Sequence, residues 1–342
     1  MTASKTIRRI LVITGDHGAP DTTKRGGHYN EEDMATHAAM RAAFESLGDY
    51  SFDFLTDHGR FLDQMRQAPP DLVVNFCDTG FRNVATRELN VPAYLELLEI
   101  PYTGAPPAAM VICYDKAIVR LVAEALGVAV PWEEFIPADA PADALPDRYP
   151  ALIKPNTADG SVGITKDAVV HDRREALAYL DWLRQTLPGR DALVQEFLSG
   201  PEYGMGLIGN PETGLTALPA LEVDYSTLPA GLNPILSYES KALPDSPYWT
   251  DIRYKRSTLP AAAETAIAES ARRLFRRFGL RDYGRFDFRT GADGTIKLME
   301  VNPNPAWAND GKLAMMAGFA GIAYPDMLGM ILNAAIARVT AG

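Results

Sequence analysis

The sequence predicts a mixed α/β protein of several lobes, the first of which is built on a parallel sheet. In the first third of the chain, short apolar runs alternate with a helical pattern, as in parallel α/β sheets. Near the C-terminus, two segments of alternating polar and apolar residues flank a glycine-rich turn, which is typical of an antiparallel hairpin. The length of 342 residues is enough for two or three compact units.

The first domain is predicted to span residues 1–114 as an N-terminal α/β substrate-binding unit. Residues 32–47 carry apolar or small side chains at helical spacing. Ligands of parallel sheets bind beyond the carboxyl ends of the strands. The glycine-containing segment 16–30, directly after the first strand, is therefore a candidate substrate loop, with a flexible surface loop as the alternative. The predicted strands are three short apolar runs, residues 10–13, 52–55 and 72–76.

The second domain is predicted to span residues 115–200. Asp115 is a suitable N-cap for a helix that runs to residue 126. After a loop rich in Pro, Ala and Asp, a short apolar strand ends in Lys154, directly before a proline. The small residues of segment 159–163, which include Ser161, allow the backbone to approach a phosphate closely.

The third domain is predicted to span residues 201–342. It contains a long, proline-rich, irregular stretch at residues 224–250, and loops of that length are uncommon unless they are functional or disordered. A lid or substrate loop is our preferred interpretation. Residues 283–289 and 295–301 then form the predicted hairpin around a Gly–Ala–Asp–Gly turn.

The hairpin is the strongest candidate for a functional site. Pairing of its two strands brings Asp287 close to Glu300, and Asn302 shares the strand face of Glu300. Two carboxylates and a carboxamide are hard oxygen ligands, and Mg²⁺ usually takes one or two carboxylates with phosphate and water. Arg285 shares the face of Asp287, so it either joins the metal site or forms a salt bridge with Asp287. A solvated acidic face is the alternative for the whole hairpin.

Composition excludes several classes of function. The net charge of −11 argues against a general nucleic-acid or anionic-membrane binder. The arginine pairs at 272–273 and 276–277 lie on one face of an amphipathic helix and predict a solvated basic face. Two cysteines, Cys77 and Cys113, are too few for a disulfide framework, which fits a reducing cytoplasm. Neither a long apolar segment nor a signal-peptide pattern is visible.

The order of these segments resembles that of the ATP-grasp ligases, and within them most closely that of the D-alanine–D-alanine ligase group. Residues 91–104, followed by 114–116, are similar to the signature of that group's N-terminal domain. The resemblance extends from about residue 10 to residue 332. The other segments that carry it are the Lys154 strand, the glycine loop 159–163, the strand 192–198, the Gly–Pro–Glu of residues 200–202, and Asp287 with Glu300 and Asn302.

The resemblance implies a three-lobed ATP-grasp fold that uses ATP with Mg²⁺, two ions being expected and Mn²⁺ an alternative. It implies that Lys116 and Lys154 bind the α- and β-phosphates and that Lys241 reaches the γ-phosphoryl group. Arg285 would stabilise the tetrahedral intermediate. Metal ligands would be Asp287, Glu300 and Asn302. The adenine-binding hinge would be Gln195, Glu196 and Leu198, with Glu202 on the ribose.

The sequence departs from the resembled group where substrates should bind. Gly160 and Ala242 stand where the group usually has a serine and a tyrosine. In that group the two side chains act with a glutamate of the first loop to hold the first substrate, and Glu31 or Glu32 is the candidate for that glutamate. The usual serine for the second substrate's carboxylate is missing after the Glu-x-Asn. In its place we expect Lys312 to meet a carboxylate and Asp310 an amine, with Asn309 beside them. Trp307 adds bulk nearby, either for stacking or for simple packing.

The expected function is formation of a carbon–nitrogen bond through an acyl phosphate, with ATP cleaved to ADP. Because of the departures, our main interpretation is an amino-acid or related carboxylate ligase of specialised biosynthesis, which does not prefer D-alanine as both substrates. The first alternative is the D-alanine–D-alanine ligase of cell-wall synthesis. A second, of another class, is a non-catalytic nucleotide-binding regulatory protein. Partners are expected to be small molecules, with a possible homodimer by analogy.

Overall fold

The computed structural model describes residues 6–21, 24–141, 144–157 and 160–341. Asp159 of the predicted glycine loop, and part of the predicted substrate loop 16–30, lie outside the described residues. The strands are β1 (Arg9–Ile13), β2 (Ser51–Leu55), β3 (Leu72–Asn75), β4 (Glu133–Ile136), β5 (Ala151–Pro155), β6 (Val169–Val170), β7 (Ala192–Glu196), β8 (Glu202–Asn210), β9 (Gly214–Ala217), β10 (Leu221–Asp224), β11 (Arg253–Arg256), β12 (Tyr283–Thr290) and β13 (Ile296–Asn302).

The helices surround three sheets that these strands form. Short 3₁₀ turns also occur in the loops that follow β1 and β3. The α-helices are α1 (Glu31–Glu45), α2 (Phe61–Gln67), α3 (Asn90–Leu97), α4 (Pro107–Tyr114), α5 (Lys116–Ala125), α6 (Arg173–Thr186), α7 (Glu239–Ala242), α8 (Pro247–Thr250), α9 (Ala261–Phe278), α10 (Lys312–Phe319) and α11 (Tyr324–Ala341).

The N-terminal sheet is parallel, as predicted, with strand order β2-β1-β3. Ile13, the last residue of β1, pairs with Leu55 and Asn75, so the three strands end together at one edge. Helix α1 begins nearby because Asn30 caps it: the Asn30 side chain accepts the backbone N–H of Asp33, whose carboxylate accepts the Asn30 N–H in return.

The central sheet is antiparallel, with strand order β4-β7-β5-β6. Strand β5 brings Lys154 into the sheet beside β7. Leu180 and Leu183 of α6 are buried with Ile153 and Val194 in one hydrophobic core. The two strands predicted around residues 152–155 and 192–198 are therefore present, although β7 ends at Glu196, where the chain leaves the sheet.

The C-terminal sheet has the strand order β11-β10-β8-β12-β13, with β9 also pairing with β8. Strand β8 is buried along its whole length because β12 and β10 flank it and helices cover it. The predicted hairpin is β12 and β13, which are antiparallel. A register shift follows Asp287, and such a bulge re-aims the side chains next to it.

Helix α5 begins where the sequence predicts it, with the Asp115 side chain accepting the N–H of Ile118. Its buried residues, however, share a hydrophobic core with α9 and the C-terminal sheet: Val119 packs in one cluster with Leu274 and Phe286. Each sheet still draws its strands from one of the three predicted ranges. The domain boundaries at residues 114 and 200 remain a prediction.

The chain has no single helix that is long and apolar enough to cross a membrane among the residues described above. Helices α10 and α11 satisfy the length and composition criteria only as a pair, and they meet at a bend of 104°. Leu313 and Met316 of α10 are fully buried, together with Ile331 of α11, so these apolar faces form part of the protein core.

Candidate active site

A cavity of about 130 Å³ lies between the central and C-terminal sheets. Leu152 of β5 and Met299 of β13 contribute apolar surface to it, and the stretch before α7 covers it with Ile235 and Leu236. It therefore joins segments that are far apart in the sequence. The predicted site residues that line it are Lys116, Lys154, Gly160, Ser161, Glu202, Lys241, Arg285, Asp287, Glu300 and Lys312.

The acidic pair is arranged as the hairpin predicts. Asp287 and Glu300 are registered partners across β12 and β13, and registered side chains share a face. Asn302 donates its Nδ2 to Asp287 Oδ2 at 3.3 Å. Asp287 is only 7% exposed. The solvated acidic face considered as an alternative is therefore wrong for Asp287.

Arg285 makes a bidentate contact with Asp287, its Nε donating to Oδ1 at 2.9 Å and its Nη2 to Oδ2 at 3.0 Å. The salt bridge that the sequence left as an alternative is thus present, and Arg285 lines the cavity as well. Burial by itself raises the pKa of Asp287, but the charges of Arg285, Lys312 and Lys241 outweigh it and lower that pKa to about 2. Asp287 is therefore a carboxylate at neutral pH.

The donor set of the hairpin fits a hard cation. Asp287, Glu300 and Asn302 offer two carboxylates and a carboxamide on one face, which is the set Mg²⁺ takes with phosphate and water. Within the described ranges no group of three or more His, Cys, Asp or Glu side chains is placed to hold a metal. A cation at the hairpin would accordingly take part of its shell from a bound phosphate. Metal binding by these residues remains a prediction.

Two lysines enter the cavity from different elements. Lys154 projects from β5 and is 4% exposed, while Lys116 is the first residue of α5. Asn156 holds the two elements together: its carbonyl accepts the N–H of Lys116 at 3.4 Å, and its side chain accepts the N–H of Ala117 at 3.0 Å. The two cationic side chains are thereby directed into one space.

Burial lowers the pKa of Lys154 to about 8, with Glu133 opposing the shift and Lys116 adding to it. The ammonium is therefore lost as the pH rises through about 8. If Lys154 binds phosphate oxygens, ATP affinity should fall above that pH, by up to about tenfold per pH unit. The dissociation constant of ATP, measured from pH 7.5 to 9.5, checks this prediction.

The control for the pH prediction is Lys154→Arg, because a guanidinium keeps its proton throughout that range. Its ATP affinity is expected to be nearly flat from pH 7.5 to 9.5. A flat profile for the unaltered chain would contradict the role of Lys154.

The predicted adenine hinge lies at the end of β7, outside the cavity lining. Gln195 is buried beside Lys154, whose Nζ donates to Gln195 Oε1 at 3.0 Å. The Glu196 carboxylate accepts from Lys297 Nζ at 2.8 Å and 2.9 Å. This side chain is thus engaged, and because the Glu196 N–H donates to the Trp132 carbonyl at 2.9 Å, only the Glu196 carbonyl is left for the predicted contact. Leu198 is buried. Adenine binding by these residues remains a prediction.

Glu202 lies in a cluster that the sequence analysis missed. Its Oε2 accepts from Tyr225 Oη at 2.6 Å and lies 3.6 Å from NH1 of Arg289. Arg289 is itself anchored by its Nε to the carbonyl of Gly200 at 3.0 Å and lines the cavity. Strand alternation was the available signal, because Arg289 lies two residues after Asp287. Tyr225, from the stretch after β10, had no local signal.

Lys312 is the first residue of α10 and reaches the same cluster. Its Nζ lies 3.9 Å from Glu202 Oε1 and 5.7 Å from the centre of the Tyr254 ring. Lys312 therefore faces the predicted ribose and metal residues. Asn309 and Asp310, which the sequence groups with it, are exposed and do not line the cavity. Their predicted contact with substrate remains untested.

Glu31 and Glu32 occupy the first turn of α1 and are both exposed. Glu32 pairs with Arg25 at 3.6 Å, and neither glutamate lines the cavity. A substrate contact by either one remains a prediction. Trp307 is buried, stacks on Phe76 with ring centres 5.6 Å apart, and donates its Nε1 to the Phe76 carbonyl at 2.9 Å. Packing therefore accounts for Trp307.

The stretch at residues 224–250 is not wholly irregular, because it contains α7 and α8. It covers the cavity by contacts with the glycine loop. Ser161 Oγ donates to the carbonyl of Leu236 at 2.9 Å, and the N–H of Tyr238 donates to the carbonyl of Ile164 at 2.7 Å. Lys241, on α7, thereby reaches the cavity.

We expect residues 224–250 to be protease-sensitive in the free protein and protected by ATP, Mg²⁺ and substrate together, as closing loops usually are. The physical reason is that a bound phosphate adds ligands such as Lys241 to the contacts that hold the stretch. Limited trypsin digestion with mapping of the cleavage after Lys241 checks this. Cleavage at Arg276 and Arg277 of α9 is the internal control. Equal rates at Lys241 with and without ligands would contradict a lid.

Comparisons with known proteins agree with this geometry. The family described as D-ala D-ala ligase C-terminus matches residues 138–333, more than half of the chain. The D-alanine–D-alanine ligase of Bordetella petrii is 30% identical over 249 residues, which cover 72% of this chain and 71% of that protein. The matched family segment contains the acidic hairpin, the glycine loop and the stretch at residues 224–250.

Solved structures are similar over nearly the whole chain. D-alanine–D-alanine ligase from Bacillus anthracis complexed with ATP has a TM-score of 0.71 at 19% identity, covering 98% of this chain and 99% of that one. VanG D-Ala:D-Ser ligase from Enterococcus faecalis has a TM-score of 0.71 at 17% identity, covering 96% and 100%. These likenesses confirm the predicted ATP-grasp fold. The chain therefore belongs to the D-alanine–D-alanine ligase family, and it is an ATP-grasp carbon–nitrogen ligase of the ADP-forming type.

Proposed function

We propose that this protein joins two molecules of D-alanine and cleaves ATP to ADP and phosphate. The observation that carries the proposal is the cavity, in which Lys116, Lys154, Lys241 and Arg285 surround the Asp287–Glu300 pair. Such an array of cations beside hard oxygen ligands suits a transferring phosphoryl group. The relatives support this alternative better than our main interpretation, a ligase of specialised biosynthesis.

The reaction has two steps. The carboxylate of the first amino acid attacks the γ-phosphorus of ATP, which forms an acyl phosphate and releases ADP. The amine of the second amino acid then attacks the acyl carbon, the phosphate leaves with the carbon–oxygen bonding pair, and the amine loses a proton. Charge builds first on the phosphoryl oxygens and then on the acyl oxygen.

The residues of the cavity perform positioning and charge neutralisation. Lys116 and Lys154 hold the inner phosphates, and Lys241 approaches the γ-phosphoryl group from the lid. Arg285 faces both the phosphoryl group and the acyl oxygen. Mg²⁺, held by Asp287, Glu300 and Asn302, supplies further neutralisation of the phosphate charge when bound.

Exclusion of water is the second requirement, because an acyl phosphate hydrolyses. Ile235 and Leu236 cover the cavity with apolar surface, and Ser161 ties the covering stretch to the glycine loop. A nucleotide-binding regulatory protein has no need of this closure, which supports the enzyme over that alternative. A homodimer remains a prediction by analogy.

A second candidate is ligation of D-alanine to an amino acid other than D-alanine. It is favoured by Lys312, which lines the cavity where the resembled group usually has a serine for the second carboxylate. Gly160 also lines the cavity and, together with Ala242, lacks the side-chain donors usual there. Polar contacts decide selectivity strongly, so the change at Lys312 bears on the second substrate, and the changes at Gly160 and Ala242 bear on the first.

The deciding measurement is kcat/KM for release of phosphate with D-alanine, paired with a panel of second amino acids that includes D-alanine and D-serine. A value near 10⁴ M⁻¹s⁻¹ or higher for D-alanine with itself, as ordinary enzymes show, supports the first candidate. A higher value for another second amino acid supports the second. Turnover only when D-alanine is absent from both positions would overturn the proposal.

A further inference from the structure

Three side chains form a row across the central sheet. Glu133 on β4 is the registered partner of Gln195 on β7, and Gln195 is the registered partner of Leu152 on β5. Registered side chains share a face of the sheet. Leu152 and Lys154 line the cavity, so Glu133 and Gln195 lie on the cavity side of the sheet.

Hydrogen bonds join Gln195 to a carboxylate on β4 and to an ammonium group on β5. Gln195 Nε2 donates to Glu133 Oε2 at 2.6 Å, and Gln195 Oε1 accepts from Lys154 Nζ at 3.0 Å. Gln195 is 3% exposed, and the two contacts therefore lie where water competes little. The carboxamide is held between a carboxylate on one side and an ammonium group on the other.

A carboxamide has two orientations of similar shape, and its partners decide between them. Turning the Gln195 amide over would place its oxygen against the Glu133 carboxylate and its NH₂ group against the Lys154 ammonium. Both contacts would be repulsive. Glu133 therefore helps to lock one orientation, in which Oε1 is the atom on the side of Lys154.

We propose that Glu133 is a positioning residue that holds Gln195 as a hydrogen-bond acceptor and so makes the nucleotide site select a 6-amino purine over a 6-oxo purine. This inference rests on the proposed use of ATP. The chain has a carboxamide at residue 195 and a carboxylate opposite it on β4.

The base edge shows why the orientation matters. The 6-amino group of adenine donates to an acceptor, whereas the 6-oxo group of hypoxanthine accepts and needs a donor. A locked Gln195 oxygen accepts from the 6-amino group of adenine. Against hypoxanthine, the same oxygen faces the 6-oxo group, and two acceptors are left opposite each other. An amide held only by Lys154 would turn over more readily and could pair with either base, so the preference would be weaker.

The test is the dissociation constant of ATP and of inosine triphosphate, measured without any amino acid. Glu133→Gln should reduce the preference for ATP by up to about tenfold, because one of the two contacts that hold the amide loses its charge while Lys154 keeps the other. Glu134→Gln is the matched control: Glu134 is the next residue of β4 and is exposed, so it should keep the preference of the unaltered chain. An unchanged preference in Glu133→Gln would overturn the inference.

The reciprocal change separates positioning from general damage to the fold. Gln195→Glu sets two carboxylates against each other and should weaken ATP binding by about tenfold or more. Glu133→Gln with Gln195→Glu restores one carboxylate and one carboxamide, and ATP affinity and base preference should both recover. A double variant no better than Gln195→Glu alone would overturn the inference.

The two proposals fail in different ways. If the unaltered chain binds ATP and ligates D-alanine while the variants keep its base preference, only the inference falls. If it binds ATP with the predicted preference but does not use D-alanine, only the proposed function falls. If it binds no ATP, both fall together.

Discussion

Glu300→Ala is expected to lower the turnover of this ligase by at least about a hundredfold, the scale of a lost electrostatic contact to a transferring group. Glu300 faces Asp287 across β12 and β13 and lines the cavity. Without it, one hard ligand is missing and the phosphate charge is less well neutralised. Asp287→Ala is also expected to lower turnover by at least about a hundredfold. The loss in Glu300→Ala should be the larger of the two if Glu300 bridges two ions.

The measurement is kcat for ADP formation over a range of Mg²⁺ concentration, with Mn²⁺ as a second metal. Glu212→Ala is the control, because Glu212 is exposed in the turn between β8 and β9 of the same sheet. Near-normal turnover of Glu300→Ala in Mg²⁺, with the control also normal, would contradict the metal assignment. ATP binding without metal should change little, which separates a lost ligand from a damaged fold.

Arg285→Met should have the second large effect, a loss of turnover of about a hundredfold or more, because a preorganised charge is removed where negative charge develops. Arg285 also holds Asp287 by two hydrogen bonds and is a named cause of its low pKa. Its loss should therefore raise the pKa of Asp287. Because its folded pKa is low, the Asp287 carboxylate stabilises the folded protein at pH values above its unfolded pKa, and this stabilisation is lost as the pH falls through the folded pKa. In Arg285→Met that loss should occur at a higher pH than in the unaltered chain.

Steady-state kinetics of Arg285→Met and Arg285→Lys check this, with Arg277→Met on the exposed face of α9 as the control. Lysine keeps the positive charge but cannot make the bidentate contact with Asp287, so Arg285→Lys should recover only part of the lost turnover. A fall confined to KM for ATP, with kcat unchanged, would mean that Arg285 only binds nucleotide. Equal activity of Arg285→Met and the unaltered chain would remove Arg285 from the mechanism.

Local sequence pattern predicted those parts of the site in which partners lie on neighbouring strands or one turn apart. Alternation along residues 283–289, followed by a short turn, is enough to set Asp287 opposite Glu300, because a tight hairpin permits few registers. Asp115 marks the start of α5 because a capping side chain acts on backbone groups two or three residues away. Order along the chain then indicated the family.

Tertiary structure decided every contact between segments that are distant in the sequence. The pairing of Glu133 with Gln195 depends on the order of strands in the central sheet, and the cluster of Glu202, Tyr225 and Arg289 depends on which stretch folds over β8 and β12. Spacing along one segment carries no information on either.

Dependence on tertiary packing also explains why the predicted roles of three residues near Lys312 differ from their positions in the structure. Asn309 and Asp310 are neighbours of Lys312 in sequence, but only Lys312 lines the cavity, because the side chains around the start of a helix point in different directions. Trp307 looked suited to stacking on a ligand and instead packs on Phe76 of another lobe. By itself, then, the sequence determined the hairpin, the caps and the family. Only the tertiary structure decided which side chains share the cavity, because that depends on how whole sheets pack and not on local periodicity.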